Sequence, residues 1–171
     1  MTHSAVVCET PRLAIRRLED ADAPFILRLL NEPSFLENIG DRGVRSLEDA
    51  RAYLAKGPFS SYEQHDFGLF HVALKAGGEA IGMCGLLKRD WLDAPDVGFA
   101  FFPEFWSKGY AHESSVGVIE WARRTFGVTR VVGIVKPGNT GSIRVLEKLG
   151  MKFSRVVTSP EGQVSHLFLP E

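Results

Sequence analysis

Apolar positions recur along the chain with two periods, which predict strands where they alternate and helices where they return every three or four residues. Runs with strand character occupy residues 13–18, 67–75, 79–89, 96–102, 130–135, 151–157 and 164–169. Stretches with helical spacing occupy residues 19–30, 46–54, 112–126 and 142–149. No repeat, low-complexity tract or linker interrupts these elements. The chain is therefore predicted to form one mixed α/β domain over residues 1–171.

Residues that start or stop regular structure set the boundaries in the first half of the chain. Ser46, with Asp49 three residues later, resembles a capping box at the start of a helix. Gly57-Pro58 is expected to end that helix, and the SSYEQHD sequence after it is predicted to be a polar loop. Residues 34–45 contain two glycines and are predicted to be irregular.

The stretch 96–111, DVGFAFFPEFWSKGYA, leads from a strand through a glycine-containing loop into a helix. Pro103 ends the strand because proline cannot donate to the ladder. Small residues, Gly98 and Ala100, leave one side of the strand bare for an elongated ligand. Where the loop meets the helix at Gly109, backbone N–H groups and the helix dipole favour an anion. This stretch predicts a site for a phosphate or pyrophosphate group.

Composition narrows the class of protein. The net charge of −1, with 24% charged residues, provides no basic excess for binding nucleic acid through its phosphates. Two isolated cysteines, Cys8 and Cys84, form no CxxC pair, so neither a disulfide framework nor a metal site is expected. The sequence has no apolar run of membrane-spanning length and no secretory leader pattern. We expect a soluble, cytoplasmic protein that binds neither nucleic acid nor membrane.

Two motifs carry a resemblance to a known family. FFPEFWSKGYAHES precedes KPGNTGSIRVLEKLGMKF by about thirty residues, an order and spacing that resembles the GCN5-related N-acetyltransferase (GNAT) superfamily. The chain is most similar to the branch of ribosomal-protein N-terminal acetyltransferases. The resemblance implies a single domain with a mostly antiparallel sheet of about seven strands, splayed at the cofactor site and flanked by about four helices. It also implies acetyl-CoA as cosubstrate and an amine as acceptor.

The first motif implies how the cofactor is held. Gly109 and Ala111 occupy the last two fixed places of the family's pyrophosphate loop, while Trp106 stands where the family has arginine or glutamine. Ser107 replaces a frequent glycine, and with it the loop must still bring its backbone N–H groups together. By resemblance, Phe101 and Phe102 pair through their main chain with the pantetheine arm. The residues whose backbone would cradle the pyrophosphate are Trp106, Ser107, Lys108, Gly109, Tyr110 and Ala111.

The second motif contributes Asn139 and Ser142. In the family, this asparagine bonds the pantetheine side of the cofactor, and the serine lies near the thioester sulfur. Asn139 is also a good N-cap that would accept the Ser142 N–H, and the two roles can coexist. Many family members carry an acid, a tyrosine, seven residues after the asparagine, but here that residue is Leu146. Ser142 is therefore the remaining candidate for assisting the departing thiolate.

A base or a water relay is needed because an amine acceptor is largely protonated at neutral pH. We consider Asp96 first, at the start of the central strand, and His71 and His112 after it. Each has a plain structural alternative: a solvent-exposed strand entry for Asp96, a strand position for His71 and a helix N-terminus for His112. Arg144 and Lys148 either meet the 3′-phosphate of the coenzyme or lie on a solvated helix face.

The sequence leaves alternatives for the acceptor amine and for the oligomeric state. The segments 31–46 and 57–66 carry several carboxylates, which favour either a cationic acceptor or a merely solubilising surface: Glu32, Glu37, Asp41, Glu63 and Asp66. The acceptor is a protein N-terminus or a small-molecule amine, and the protein is a monomer or a homodimer. The leading function is N-acetyl transfer by direct attack in a ternary complex. The alternative is a catalytically silent acyl-CoA-binding sensor or partner module.

Overall fold

Two antiparallel sheets form the framework of the protein, whose computed structural model describes residues 5–171. The first sheet has the order β1 to β5, with strands β1 (Val6–Glu9), β2 (Leu13–Arg17), β3 (Leu69–Leu74), β4 (Ala80–Leu87) and β5 (Asp96–Phe101). The second has the order β6-β8-β7, with strands β6 (Gly133–Val135), β7 (Met151–Thr158) and β8 (Val164–Pro170).

The two sheets join at one point and then separate. A parallel bridge links Asp96 to Val132, and the Val97 N–H donates to the Val132 carbonyl at 3.0 Å. No strand pairing joins β5 to β6 beyond this bridge in the described part of the chain. Because backbone groups alternate along a strand, Phe99 and Phe101 present theirs to the opening rather than to β4. The predicted splay of the sheet is confirmed.

Six α-helices complete the mixed α/β fold within residues 5–171, which confirms the predicted fold class. They are α1 (Ala23–Leu30), α2 (Pro33–Asn38), α3 (Leu47–Leu54), α4 (Ser60–His65), α5 (Tyr110–Phe126) and α6 (Thr140–Lys148). The predicted cap at Ser46 is present, since its hydroxyl accepts the Asp49 N–H at 3.0 Å. None of the described helices is long and apolar enough to cross a membrane.

Three short elements were missed by the sequence pattern, namely β1, α2 and α4. The predicted helix end at Gly57-Pro58 is wrong, because Ala55–Phe59 continues as a π-helical turn into α4. A π-turn changes the hydrogen-bond register and so accommodates Pro58, which lies buried inside it. The segment predicted to be irregular contains α2, with proline at its first position and Phe35 buried. The described part of the chain, residues 5–171, thus contains eight strands and six α-helices.

Helices cover both faces of the first sheet and make two apolar cores. Successive residues of β4 point to opposite faces. Cys84 packs with Val118 and Ala122 of α5, whereas Met83 packs with Leu54 in the core beneath the first helices. Both cores extend to the edge where the sheets separate, so that edge is rigidly supported.

Candidate active site

Two adjoining cavities open where β5 and β6 separate. The loop cavity has a volume of about 520 Å³ and lies against residues 105–112 and α6. The far cavity, of about 590 Å³, extends to the β7–β8 turn and the loop before α3. Both volumes are typical of small-molecule sites. The residues that border both cavities are Phe35, Asn38, Ile39, Phe99, Ala100, Asn139 and Ser142.

The start of α5 presents unpaired backbone donors to the loop cavity. Gly109 is the N-terminal boundary residue at φ 84°, and no side chain caps the helix. The first helical bond is from the Glu113 N–H to the Gly109 carbonyl, at 2.9 Å. The N–H groups of Tyr110, Ala111 and His112 find no acceptor among the described residues. This geometry suits an anion.

Two residues of the loop have left-handed backbone conformations. Besides Gly109, Ser107 has φ 60°, a region in which a non-glycine residue is strained. A Cβ at position 109 would approach Arg12 Nη2 at 3.3 Å, so glycine keeps the loop close to that guanidinium. The serine that replaces the family's frequent glycine at position 107 thus has a backbone conformation that glycine adopts readily.

Arg12 holds the loop to the rest of the fold, a role that the sequence pattern did not reveal. Its guanidinium donates to the Lys108 carbonyl at 2.9 Å and to Glu113 Oε1 at 2.7 Å, and lies 4.3 Å from the Tyr110 ring centre. Burial alone would raise the pKa of Glu113, but hydrogen bonds from Thr10 and Arg12 lower it. The Glu113 carboxylate therefore joins the first turn of α5 to the connection between β1 and β2.

The aromatic residues proposed to contact the cofactor, whether at the pyrophosphate or along the pantetheine arm, divide into two groups. Trp106 is 47% exposed, and its Nε1 donates to the Phe101 carbonyl at 2.9 Å, which leaves the Phe101 N–H facing the opening. Phe102 does not fit main-chain pairing, because its N–H donates to Ile81 and its carbonyl accepts from Phe105. Its side chain is buried in the core beneath α1.

Most of the predicted loop residues border the loop cavity, namely Phe101, Trp106, Ser107, Gly109, Tyr110 and Ala111. Lys108 does not border it, and its ammonium lies 5.9 Å from the centre of the Phe105 ring. Arg144 and Lys148 of α6 border it and supply positive charge.

Asn139 and Ser142 lie between the two cavities. Asn139 caps α6, with its Oδ1 accepting the Ser142 N–H at 3.3 Å. Both residues border both cavities, so capping places them at the opening. Leu146 is 2% exposed and packs over Gly133, where a Cβ would approach it at 2.7 Å. An apolar contact therefore replaces the acid that the family often has here.

The three candidate bases lie in different parts of the structure. Asp96 is 2% exposed at the edge of the far cavity, where Arg89 Nε bonds it at 2.9 Å. Burial raises the pKa of Asp96, and Arg89 opposes the rise. His71 borders neither cavity, and burial lowers its pKa to about 4. His112 borders the loop cavity. Among residues 5–171, no cluster of metal-ligating side chains occurs.

The carboxylates expected to face the acceptor lie elsewhere. Of the acidic residues in segments 31–46 and 57–66, none borders either cavity. Asp41 pairs with Arg45 at 2.6 Å and Asp66 pairs with Arg17 at 3.7 Å. Cationic side chains, Arg42 among them, border the far cavity instead. The inference of a cationic acceptor from these acidic segments is therefore not supported.

Comparison with known proteins identifies relatives of this arrangement. The family model "Acetyltransferase (GNAT) domain" matches residues 12–152. The uncharacterized N-acetyltransferase YnaD of Bacillus subtilis is 28% identical over 143 residues, covering 84% of this chain and 81% of that protein. A solved structure of RimL, a ribosomal L7/L12 α-N-protein acetyltransferase with coenzyme A, aligns with a TM-score of 0.79 at 14% identity, covering 96% of this chain and 97% of RimL. The aminoglycoside acetyltransferase AAC(6′)-Ib, solved with paromomycin and acetyl-CoA, aligns at 0.75 with 20% identity and 92% of each chain.

Proposed function

The chain belongs to the GNAT acetyltransferase family, and we propose on that basis that it transfers the acetyl group of acetyl-CoA to a primary amine, by direct attack in a ternary complex. The single observation that carries the proposal is the continuous opening between β5 and β6. It connects an anion-binding helix start on one side with a second cavity on the other. A coenzyme and an acceptor can therefore meet at the residues shared by both cavities.

The loop cavity fits acetyl-CoA in its donor groups and charge. The free N–H groups at the start of α5 suit the pyrophosphate, and Gly109 leaves room for its approach. The edge of β5 offers the backbone of Phe99 and the Phe101 N–H to the amide groups of the pantetheine arm. Arg144 and Lys148 supply charge for further phosphate.

The residues at the junction of the cavities have distinct tasks. Bound acetyl-CoA supplies an acetyl group activated as a thioester. Ser142 borders both cavities, and its hydroxyl would donate to the sulfur as negative charge develops there. Because Asp96 is held by Arg89, the ammonium proton of the acceptor passes to water in the far cavity rather than directly to that carboxylate.

One observation favours the alternative, a catalytically silent acyl-CoA-binding module. The position that often carries the acid in the family is the buried Leu146, and the buried carboxylate that borders the far cavity, Asp96, is already paired with Arg89. Such a module would bind acetyl-CoA with the same loop but release no thiol in the presence of amines.

Calorimetric titration with acetyl-CoA, followed by a thiol-release assay across a panel of amines and N-terminal peptides, tests the proposal. We expect binding in the micromolar range and amine-dependent thiol release. The variant Gly109→Trp should fold but lose binding. At φ 84° and close to Arg12, a side chain at position 109 would displace the loop that is proposed to hold the pyrophosphate. Binding without thiol release would favour the silent module. A folded protein that does not bind acetyl-CoA would refute both.

A further inference from the structure

The far cavity contains donor groups for which the described residues provide no acceptor. Arg42, on the loop between α2 and α3, has no hydrogen bond or ion pair with any residue in 5–171. Tyr53 of α3 borders the same cavity, and its hydroxyl has no partner within that range either. A guanidinium and a phenol can donate together to one carboxylate.

The loop that carries Arg42 is fixed by its neighbours. The Asp41 carboxylate accepts the Gly43 N–H at 2.8 Å and pairs with Arg45, which also donates to Asn31 at 3.0 Å. The loop therefore satisfies the charge of Asp41 without using Arg42. The guanidinium of Arg42 is therefore left without a counter-charge from this loop. The same contacts hold the backbone on either side of Arg42.

The other charged groups around the cavity do not cancel this charge. Arg89 and Asp96 neutralise each other. Lys136 donates to the Glu37 carbonyl at 2.9 Å, a neutral acceptor that leaves the ammonium charge in place. Glu161, on the turn between β7 and β8, is an exposed carboxylate on the wall formed by that turn. Two uncompensated cations thus face one carboxylate.

Tyr53 and Arg42 also affect each other. Burial raises the pKa of the Tyr53 phenol, and the positive charge of Arg42 opposes that rise. The phenol stays protonated at neutral pH and is available as a donor beside the guanidinium.

From this geometry we propose that the acceptor carries a carboxylate as well as its reactive amine, and that Arg42 and Tyr53 bind this carboxylate. The inference rests on the proposed function, because it assigns the far cavity to the acceptor. Both a free amino acid and a peptide N-terminus with an acidic side chain provide this chemistry. Glu161 is left to bind any second cationic group of the acceptor.

Matched acceptor pairs test the proposal in the thiol-release assay. One arm compares free amino acids with their amides, and the other compares peptides with glutamate or glutamine in second position. We expect at least one arm to show a preference for the carboxylate member, which identifies its source. In Arg42→Ala, kcat/KM for that member should fall by about 10- to 100-fold, mainly through KM. The uncharged member should change less than about twofold, because it does not use the guanidinium charge.

Three variants separate charge at this site from charge in general. Arg42→Lys should recover part of the preference, and Tyr53→Phe should reduce it. Arg51→Ala is the matched control, since Arg51 is an exposed residue of α3 that does not border the cavity. Thermal unfolding confirms that each variant is folded.

The outcomes distinguish this inference from the proposed function. Acetyl-CoA binding with no preference for the carboxylate member, or with equal losses for both members in Arg42→Ala, would overturn the inference alone. Acetyl-CoA binding with none of the carboxylate-bearing amines accepted would also overturn it. Failure to bind acetyl-CoA at all would refute the proposed function instead.

Discussion

Replacing His71 with leucine should remove a large part of the acid sensitivity of the fold. The imidazole is 5% exposed on β3, with its ring centre 5.0 Å from that of Phe25. Its Nδ1 is buried without a hydrogen-bond partner. Arg16 lies near it and further disfavours a positive charge, while Asp22 and Glu19 act in the opposite direction. The folded protein therefore holds a neutral imidazole that the unfolded chain protonates readily.

The pKa values set the size and the pH range of the effect. Burial, the largest cause, lowers the pKa of His71 from 6.5 to about 4. Because the folded pKa is the lower one, the stabilising contribution is complete above the unfolded pKa and is lost as pH falls towards the folded pKa. By proton linkage, the free energy of unfolding should decrease by about 2 kcal/mol between pH 7.5 and pH 5. Asp22 has a lowered pKa, so its stabilising contribution is intact over this range and is lost only at lower pH, below the ordinary pKa of 3.8.

Urea unfolding of the wild type and of His71→Leu at both pH values measures this contribution. The variant should lose about 2 kcal/mol less than the wild type over this range. At pH 7.5 the two should be similar, because removing an unpaired buried nitrogen offsets the lost contact with Phe25. Activity should change little, since His71 borders neither cavity. Parallel pH profiles for the two proteins would refute the assignment of this acid sensitivity to His71.

Two further substitutions have expected outcomes. Arg89→Ala should lower the free energy of unfolding, measured by urea titration, by about 3–5 kcal/mol, because it leaves the buried Asp96 carboxylate unpaired. A loss below about 1 kcal/mol would show that the carboxylate finds another partner. Ser107→Gly should stabilise the fold or leave it unchanged, since relief of about 1 kcal/mol at φ 60° offsets the added chain entropy. A clear decrease in melting temperature would show that the serine side chain is stabilising.

The sequence predicted those elements whose structure depends on local signals. The strand, glycine loop and helix of 96–111 appear where the alternation, Pro103 and Gly109 placed them. Asn139 caps α6 as its residue type favours. The sequence resembled the branch of ribosomal-protein N-terminal acetyltransferases, and the fold aligns with that of RimL, an acetyltransferase of this kind. Such features depend on a few neighbouring residues, which makes them accessible without a structure.

Features that depend on distant residues were not predictable in the same way. Arg12 meets Glu113 across 101 residues of sequence, and nothing local to Arg12 indicates that contact. The sequence did not show which charged residues of the loop before α3 pair with each other. In the structure Asp41 pairs with Arg45, and Arg42 borders the far cavity. One missed element did carry a signal, because Pro33 at a helix start with Phe35 and Ile39 four residues apart is typical of a short helix.

Asp96, which the sequence predicted for chemistry, also has a structural position at the junction of the two sheets. It is the residue of β5 at which the two sheets are bridged, and the Arg89 guanidinium holds its carboxylate from the loop before the strand. The next residue, Val97, is the last of β5 to bond across the junction, and the opening begins at Gly98. The ion pair between the partly exposed Arg89 and the buried Asp96 thus lies where the strands part. Asp96 therefore lies at the closed end of the cleft, a structural position that does not depend on proton transfer.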